Sequence, residues 1–149
     1  MSGKKQQYRK HRILVVDDET DVHQVVRLSL RCFRFRGMRL ELLFAESGRQ
    51  AVRIMKDDPD IAVILLDVVM ESNTAGLDAC IQIREELANK MVRILIFSGT
   101  GGSIGENSIR SSYDINGYLA KAETTLQCLA LLARYVATTL CVHSAGAPV

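Results

Sequence analysis

The sequence contains no tryptophan, and only 5% of its residues are aromatic. A flavin carrier, which needs rings to stack on its cofactor, is therefore disfavoured. No apolar run approaches the roughly 18 residues of a membrane span. Charge of one sign is also scarce: 19 basic against 17 acidic residues leave a net charge of +2, too little for a general pull toward nucleic acid or anionic lipid. The four cysteines (Cys32, Cys80, Cys128 and Cys141) include no CxxC pair. They sit in apolar stretches, where Cys acts as a small hydrophobe, and are expected to be buried and reduced. His11, His23 and His143 form no ligand pattern. The basic residues 1–10 lack the apolar core of a signal peptide, so the expectation is a soluble, cytoplasmic protein.

Short runs that are wholly apolar, but for Arg93 in the third, and that end on polar residues are present instead. Ile13–Val16 stops at Asp17-Asp18-Glu19, Ile61–Leu66 stops at Asp67, and Val92–Phe97 stops at Ser98-Gly99. Such runs are the signature of strands covered on both faces. Leu40–Ala45 and Ile115–Leu119 are weaker strand candidates.

Helical periodicity lies between them. Val22, Val25, Val26, Ser29 and Phe33 trace one face after a Thr20 cap, and Ala51, Ile54 and Met55 another after a Ser47 cap. Leu77, Cys80, Ile81, Leu87 and Ala88 mark a third helix. The last runs through Leu126, Leu129, Ala130, Ala133, Val136, Ala137 and Leu140. A fourth helix within 104–113 is weakly marked and expected to be short.

Five strands alternating with helices predict one α/β domain over residues 11–141, a doubly wound five-stranded parallel sheet, with loose tails at 1–10 and 142–149. In open sheets of this kind the functional crevice lies beyond the carboxyl ends of the strands. Asp17, Asp18, Asp67, Ser98 and, one step past the fifth strand, Lys121 should gather there. Three carboxylates so placed repel one another unless a cation joins them. Oxygen ligands on a wet rim suit Mg²⁺. An ammonium and a hydroxyl opposite can hold phosphoryl oxygens, so the set fits phosphoryl transfer to a carboxylate.

Four segments, Ile13–Glu19, Val63–Met70, Phe97-Ser98-Gly99 and Tyr118–Lys121, resemble in order and spacing the signature segments of response-regulator receiver domains, across about Ile13 to Leu140. The resemblance implies a flavodoxin-like (βα)5 fold with strand order 2-1-3-4-5. It implies Asp67 as phosphoacceptor from a histidine kinase or phosphotransfer protein, with Mg²⁺ on Asp18, Asp67 and the Val69 carbonyl, and Asp17 acting through water. Ser98 would be the switch hydroxyl, Lys121 the phosphate-binding lysine and Tyr118 the aromatic switch. Output would pass through helix 4, strand 5 and helix 5, to a downstream domain or a second copy, with Leu131, Leu132 and Tyr135 as a dimer patch. No enzymatic turnover of an outside substrate, no direct nucleic-acid binding and no membrane association are implied.

Arg27–Arg39, Met70–Gly76 and Tyr113–Tyr118 are similar to a subgroup that continues into a sensor-like domain and a cyclic-di-GMP or kinase module. The sequence departs from the family at Glu71 and Ala122, where proline is usual, at Gly99, where alanine is common, and in a Met70–Gly76 loop about one residue longer. A magnesium-dependent phosphatase would want an acid where Val69 stands. A receiver-like module that signals without phosphorylation is the main alternative. Gly99–Gly105 lacks the GxGxxG spacing of a dinucleotide loop and reads as a mobile loop. The arginines at 27, 31, 34, 36 and 39 read mostly as a solvated helix face.

Overall fold

A computed structural model of the chain describes residues 11–99, 105–121, 134 and 136–141. The expected tails, the glycine-rich loop at 100–104 and most of the last helix, with Cys128, Leu131, Leu132 and Tyr135, lie outside the described residues.

Each apolar run forms a strand. These are β1 (Arg12–Val16), β4 (Glu41–Ala45), β5 (Val63–Leu66), β6 (Arg93–Ser98) and β7 (Gly117–Ala120), all parallel, in the order β4-β1-β5-β6-β7. In terms of these five strands that order is 2-1-3-4-5, as expected. The register runs Ile13↔Val63, Val63↔Arg93 and Leu95↔Gly117.

Alternation along the strands sends residues to two cores. Leu14, Val16, Ile64, Leu66, Ile94 and Ile96 meet α2 (Gly48–Asp57), α3 (Ala75–Ile81) and α4 (Glu106–Ser112) through Ala51, Met55, Leu77, Cys80 and Ile109. Ile13, Val15, Val63, Leu65, Leu95 and Phe97 meet α1 (Thr20–Leu30) through Val26 and Leu30, and the last helical stretch through Val136 and Leu140. The chain therefore folds as a doubly wound, flavodoxin-like sheet with both faces covered.

Several local expectations are corrected. Thr20 is the first helical residue rather than the cap. Glu19 holds the cap position with no side-chain cap bond, and its own amide donates to Asp17 Oδ1 at 2.9 Å. Ser47 does cap α2, accepting from Gln50 N at 3.1 Å. Helix α1 ends at Leu30, so the expected arginine-rich helix face is broken up. The chain turns instead into an antiparallel ribbon, β2 (Arg34–Phe35) and β3 (Met38–Arg39), through Arg36 (φ 52°) and Gly37 (φ 78°). Both central residues at positive φ match the twist a tight hairpin requires. Cys80 is buried as expected, whereas Cys32 and Cys141 are exposed, since the first lies beyond the end of α1 and the second on the outer side of the last helix.

The third helix passes into a single π turn at Gln82–Glu86. An extra residue in a helical turn re-aims the side chains around it, and here Arg84 is buried. Its guanidinium donates to the carbonyls of Asp114 (3.0 Å), Asn89 (3.0 Å) and Val92 (2.7 Å) and to Asn116 Oδ1 (2.8 Å). Asn116 Oδ1 also accepts from Ile94 N at 2.8 Å. One side chain thus ties α3, the start of β6 and the approach to β7.

Removing that fork leaves several buried acceptors unpaired. Arg84→Ala should cost about 2–4 kcal/mol in urea unfolding with an unchanged m value, and Arg84→Lys should recover less than half of the loss. Burial pushes the Cys80 thiol up to about 11. Iodoacetamide at pH 8 should therefore label Cys32 and Cys141 in the native protein and Cys80 only after denaturation, as read by peptide mass mapping.

Candidate functional site

The carboxyl ends of β1, β5 and β6 meet at one edge of the sheet, and the backbone fixes what they carry. Asp17 N donates to Ala45 O and Asp67 N to Val16 O, both at 3.0 Å, which places the two acids on neighbouring strands. Lys121 N donates to Ser98 O at 2.8 Å, so the residue after β7 is held against the last residue of β6. Asp17, Asp67 and Ser98 are buried and Asp18 is exposed. Oxygens of Asp17, Asp18 and Asp67 all lie within 4.8 Å of one another.

Lys121 Nζ closes the cluster, 2.6 Å from Asp17 Oδ2 and 3.4 Å from Asp67 Oδ2. Three carboxylates against one ammonium leave two negative charges uncompensated. Burial raises the Asp67 pKa; Lys121 pulls it down and Asp17 pushes it up, and the net direction is upward. For Lys121 burial works to lower the pKa, but the bonds and charges of Asp17 and Asp67 outweigh it and the net direction is upward. Hard oxygen donors with excess negative charge are what Mg²⁺ takes, so the residues present fit that ion.

Around this cluster the loop after β5 is pinned. Asp67 Oδ1 accepts from Val68 N at 2.8 Å, and Gly76 N donates to Val68 O at 3.0 Å. A Cβ at Gly76 would stand 1.8 Å from Asp67 O. Only glycine lets the first turn of α3 seat behind the acid. Val69, two residues after Asp67, is 41% exposed. Glu71, standing where the family usually has proline, accepts from Gly48 N (2.8 Å) and Arg49 N (3.3 Å), the first amides of α2. Its carboxylate therefore docks the loop onto the positive end of that helix.

The expected site residues Asp17, Asp18, Asp67 and Lys121 come together, with Ser98 beside Lys121 through the backbone. Tyr118 lies opposite Ile96 on the β6 partner strand, half-buried against the core that includes Ile109. Burial, then the charges of Glu106 and Asp67, raise its pKa, so its hydroxyl feels the acid cluster. Sequence reasoning missed His23. Its Nε2 donates to the Asp17 carbonyl at 2.8 Å and its ring tilts on Phe44, bracing the acid from α1. Its position six residues after Asp17, on the buried face of a helix, was the available signal.

Comparison with known proteins agrees with this geometry. The family model "Response regulator receiver domain" matches residues 13–133. The 3'3'-cGAMP-specific phosphodiesterase 2 of Vibrio cholerae is 42% identical over 120 residues, 80% of this chain and 23% of that protein. The phosphorylated cyanobacterial phytochrome response regulator RcpA superposes with a TM-score of 0.73 at 19% identity, covering 88% of this chain and 94% of that one. The response regulator domain of Thermotoga maritima CheB gives 0.66 at 22% identity, covering 88% and 96%. The chain spans 23% and 29% of the length of the curated relatives it matches. Among the described residues no helix is long and apolar enough to cross a membrane. Strand order, acid cluster and family match agree, and the chain belongs to the response regulator receiver domain family of two-component signalling.

Proposed function

We propose that the domain is a phosphorylation switch of the cytoplasm, taking a phosphoryl group on Asp67 from a histidine kinase or phosphotransfer protein. The observation that carries this reading is Lys121 Nζ seated 3.4 Å from Asp67 Oδ2, within a group of three carboxylates. In the transfer, a carboxylate oxygen of Asp67 forms the new bond to phosphorus. The donor's nitrogen–phosphorus bond breaks, and its electron pair stays on the imidazole, which takes up a proton. Asp18, Asp67 and the Val69 carbonyl, with Asp17 acting through water, would hold Mg²⁺, which would supply neutralising charge when bound. Lys121 exchanges its carboxylate contacts for a phosphoryl oxygen and Ser98 donates to another. Tyr118 then moves inward.

The switch shifts the surface of α4, β7 and the last helix, which binds an output domain or a second copy. The 42% identity to part of a cyclic-dinucleotide phosphodiesterase supports a module of that chemistry as the output. No outside substrate is turned over; the chemistry is phosphorylation and slow dephosphorylation of the domain itself.

Acetyl phosphate with Mg²⁺ should add about 80 Da, one phosphoryl group, to the intact mass. The gain should vanish without Mg²⁺ and in Asp67→Asn. No gain in a folded wild type would favour a module that signals without phosphorylation. A second expectation follows from the burial of Asp67. Because its folded pKa lies above the unfolded value of 3.8, ionising it costs stability that grows as pH rises past that value. In metal-free buffer at pH 7, Asp67→Asn should melt a few degrees above wild type, where ~1 kcal/mol is worth about 2–4 °C. Thermal melts across pH should show the gap closing as pH falls toward 3.8.

A further inference from the structure

The ribbon between α1 and β4 takes no part in the site. It occupies a connection of ten residues, 31–40, where two to six are usual for a helix-to-strand link. Five arginines, Arg27, Arg31, Arg34, Arg36 and Arg39, fall in thirteen residues that contain no lysine and no acid. All five are exposed. Among the described residues, none of the five has a carboxylate within ion-pair distance, whereas Arg12, Arg84, Arg110 and Lys121 each do.

Register makes the arrangement costlier. Arg34 and Arg39 are direct cross-strand partners, a position in which like charges repel, with Cβ atoms about 4.5–5.5 Å apart. A ribbon folded for its own stability would put opposite charges there. The unit is nonetheless anchored. Phe35 is buried in the α1-side core, His11 meets its ring edge-on at 4.9 Å, and Arg36 lies over it at 5.3 Å. Arg27 is likewise laid over Phe44 at 4.5 Å. Arg27 and Arg36, laid on rings with no carboxylate in ion-pair distance among the described residues, are preorganised for an external counter-charge, and Arg34 and Arg39 extend the same surface.

We propose that the ribbon and the adjoining end of α1 are a docking surface for an acidic segment of a protein partner, with Arg34 and Arg39 forking its carboxylates. A protein fits better than nucleic acid or lipid. Arginine-rich, lysine-free surfaces with apolar residues between the charges are typical of protein interfaces, and Leu28 (60% exposed), Phe33 and Met38 supply the apolar part. Among the described residues the basic patch is also bounded: β4 opens with Glu41, whose carboxylate is joined with that of Asp58 to Arg12. A duplex needs a longer basic track.

The surface lies at the amino ends of the strands, one strand length, about 16 Å, from the acid cluster. Binding there should be indifferent to the state of Asp67, so this inference stands or falls apart from the phosphorylation reading.

The test is a ¹⁵N-detected titration of the full chain with a fourteen-residue peptide of alternating Glu, Asp and Leu, beside a fourteen-base-pair duplex and vesicles containing one third phosphatidylserine. We expect saturable shifts confined to residues 27–39, unchanged in Asp67→Asn. The paired substitution Arg34→Lys and Arg39→Lys keeps the charge but removes the fork, and should weaken peptide binding about threefold. Arg34→Glu with Arg39→Glu should weaken it at least ~tenfold, with sheet amides unmoved as the check on folding. Absent or scattered shifts, equal binding by the lysine pair, or tighter binding of duplex or vesicles would overturn the proposal.

Discussion

The acid cluster at the carboxyl edge of the sheet is held together by one ammonium. Asp17 and Asp67 are buried on adjacent strands, and without a cation their charges would repel in a medium that screens poorly. Lys121 reaches both, and it does so because its own amide is bonded to the carbonyl of Ser98. The last strand therefore does more than complete the sheet: it delivers the charge that lets the first and third of the parallel strands end on acids. His23 bracing the Asp17 carbonyl and Gly76 fitting behind Asp67 serve the same arrangement from α1 and α3.

Much of this was legible in the sequence because it rests on short-range signals. A run such as Val63–Leu66, apolar at every position and ending on Asp67, admits few readings other than a central strand with an acid at its exit. The ends of such strands share one edge by topology, so the crevice followed from the strand assignments and needed no distances. Ser47 before an amphipathic run behaved as its chemistry dictates.

What was not legible depends on tertiary partners. Arg84 sits in a helical pattern like any surface arginine, and nothing local announces a π turn that swings it into the interior toward carbonyls 5 to 32 residues away. The arginines after Leu30 kept a helix-like spacing, and the Arg36-Gly37 pair that makes the hairpin was a weak competing signal. Glu71 looked like a departure from the family's proline. Its role appears only when the first amides of α2 are seen beside it. With the proline's rigidity gone, a charge bound to a helix terminus holds the same loop.

The hairpin between α1 and β4 has a further consequence for how this chain can vary. The cost of closing a loop rises only slowly with its length, by about 0.6 kcal/mol for each doubling. A connection at the amino edge can therefore lengthen, shorten or change sequence with little effect on a sheet whose five strands are fixed by their own register. The carboxyl edge has no such freedom, since Gly76 and Lys121 each meet Asp67 at contact distance. Lineages carrying this domain can thus change what they hold on one edge while the chemistry of the other stays as it is.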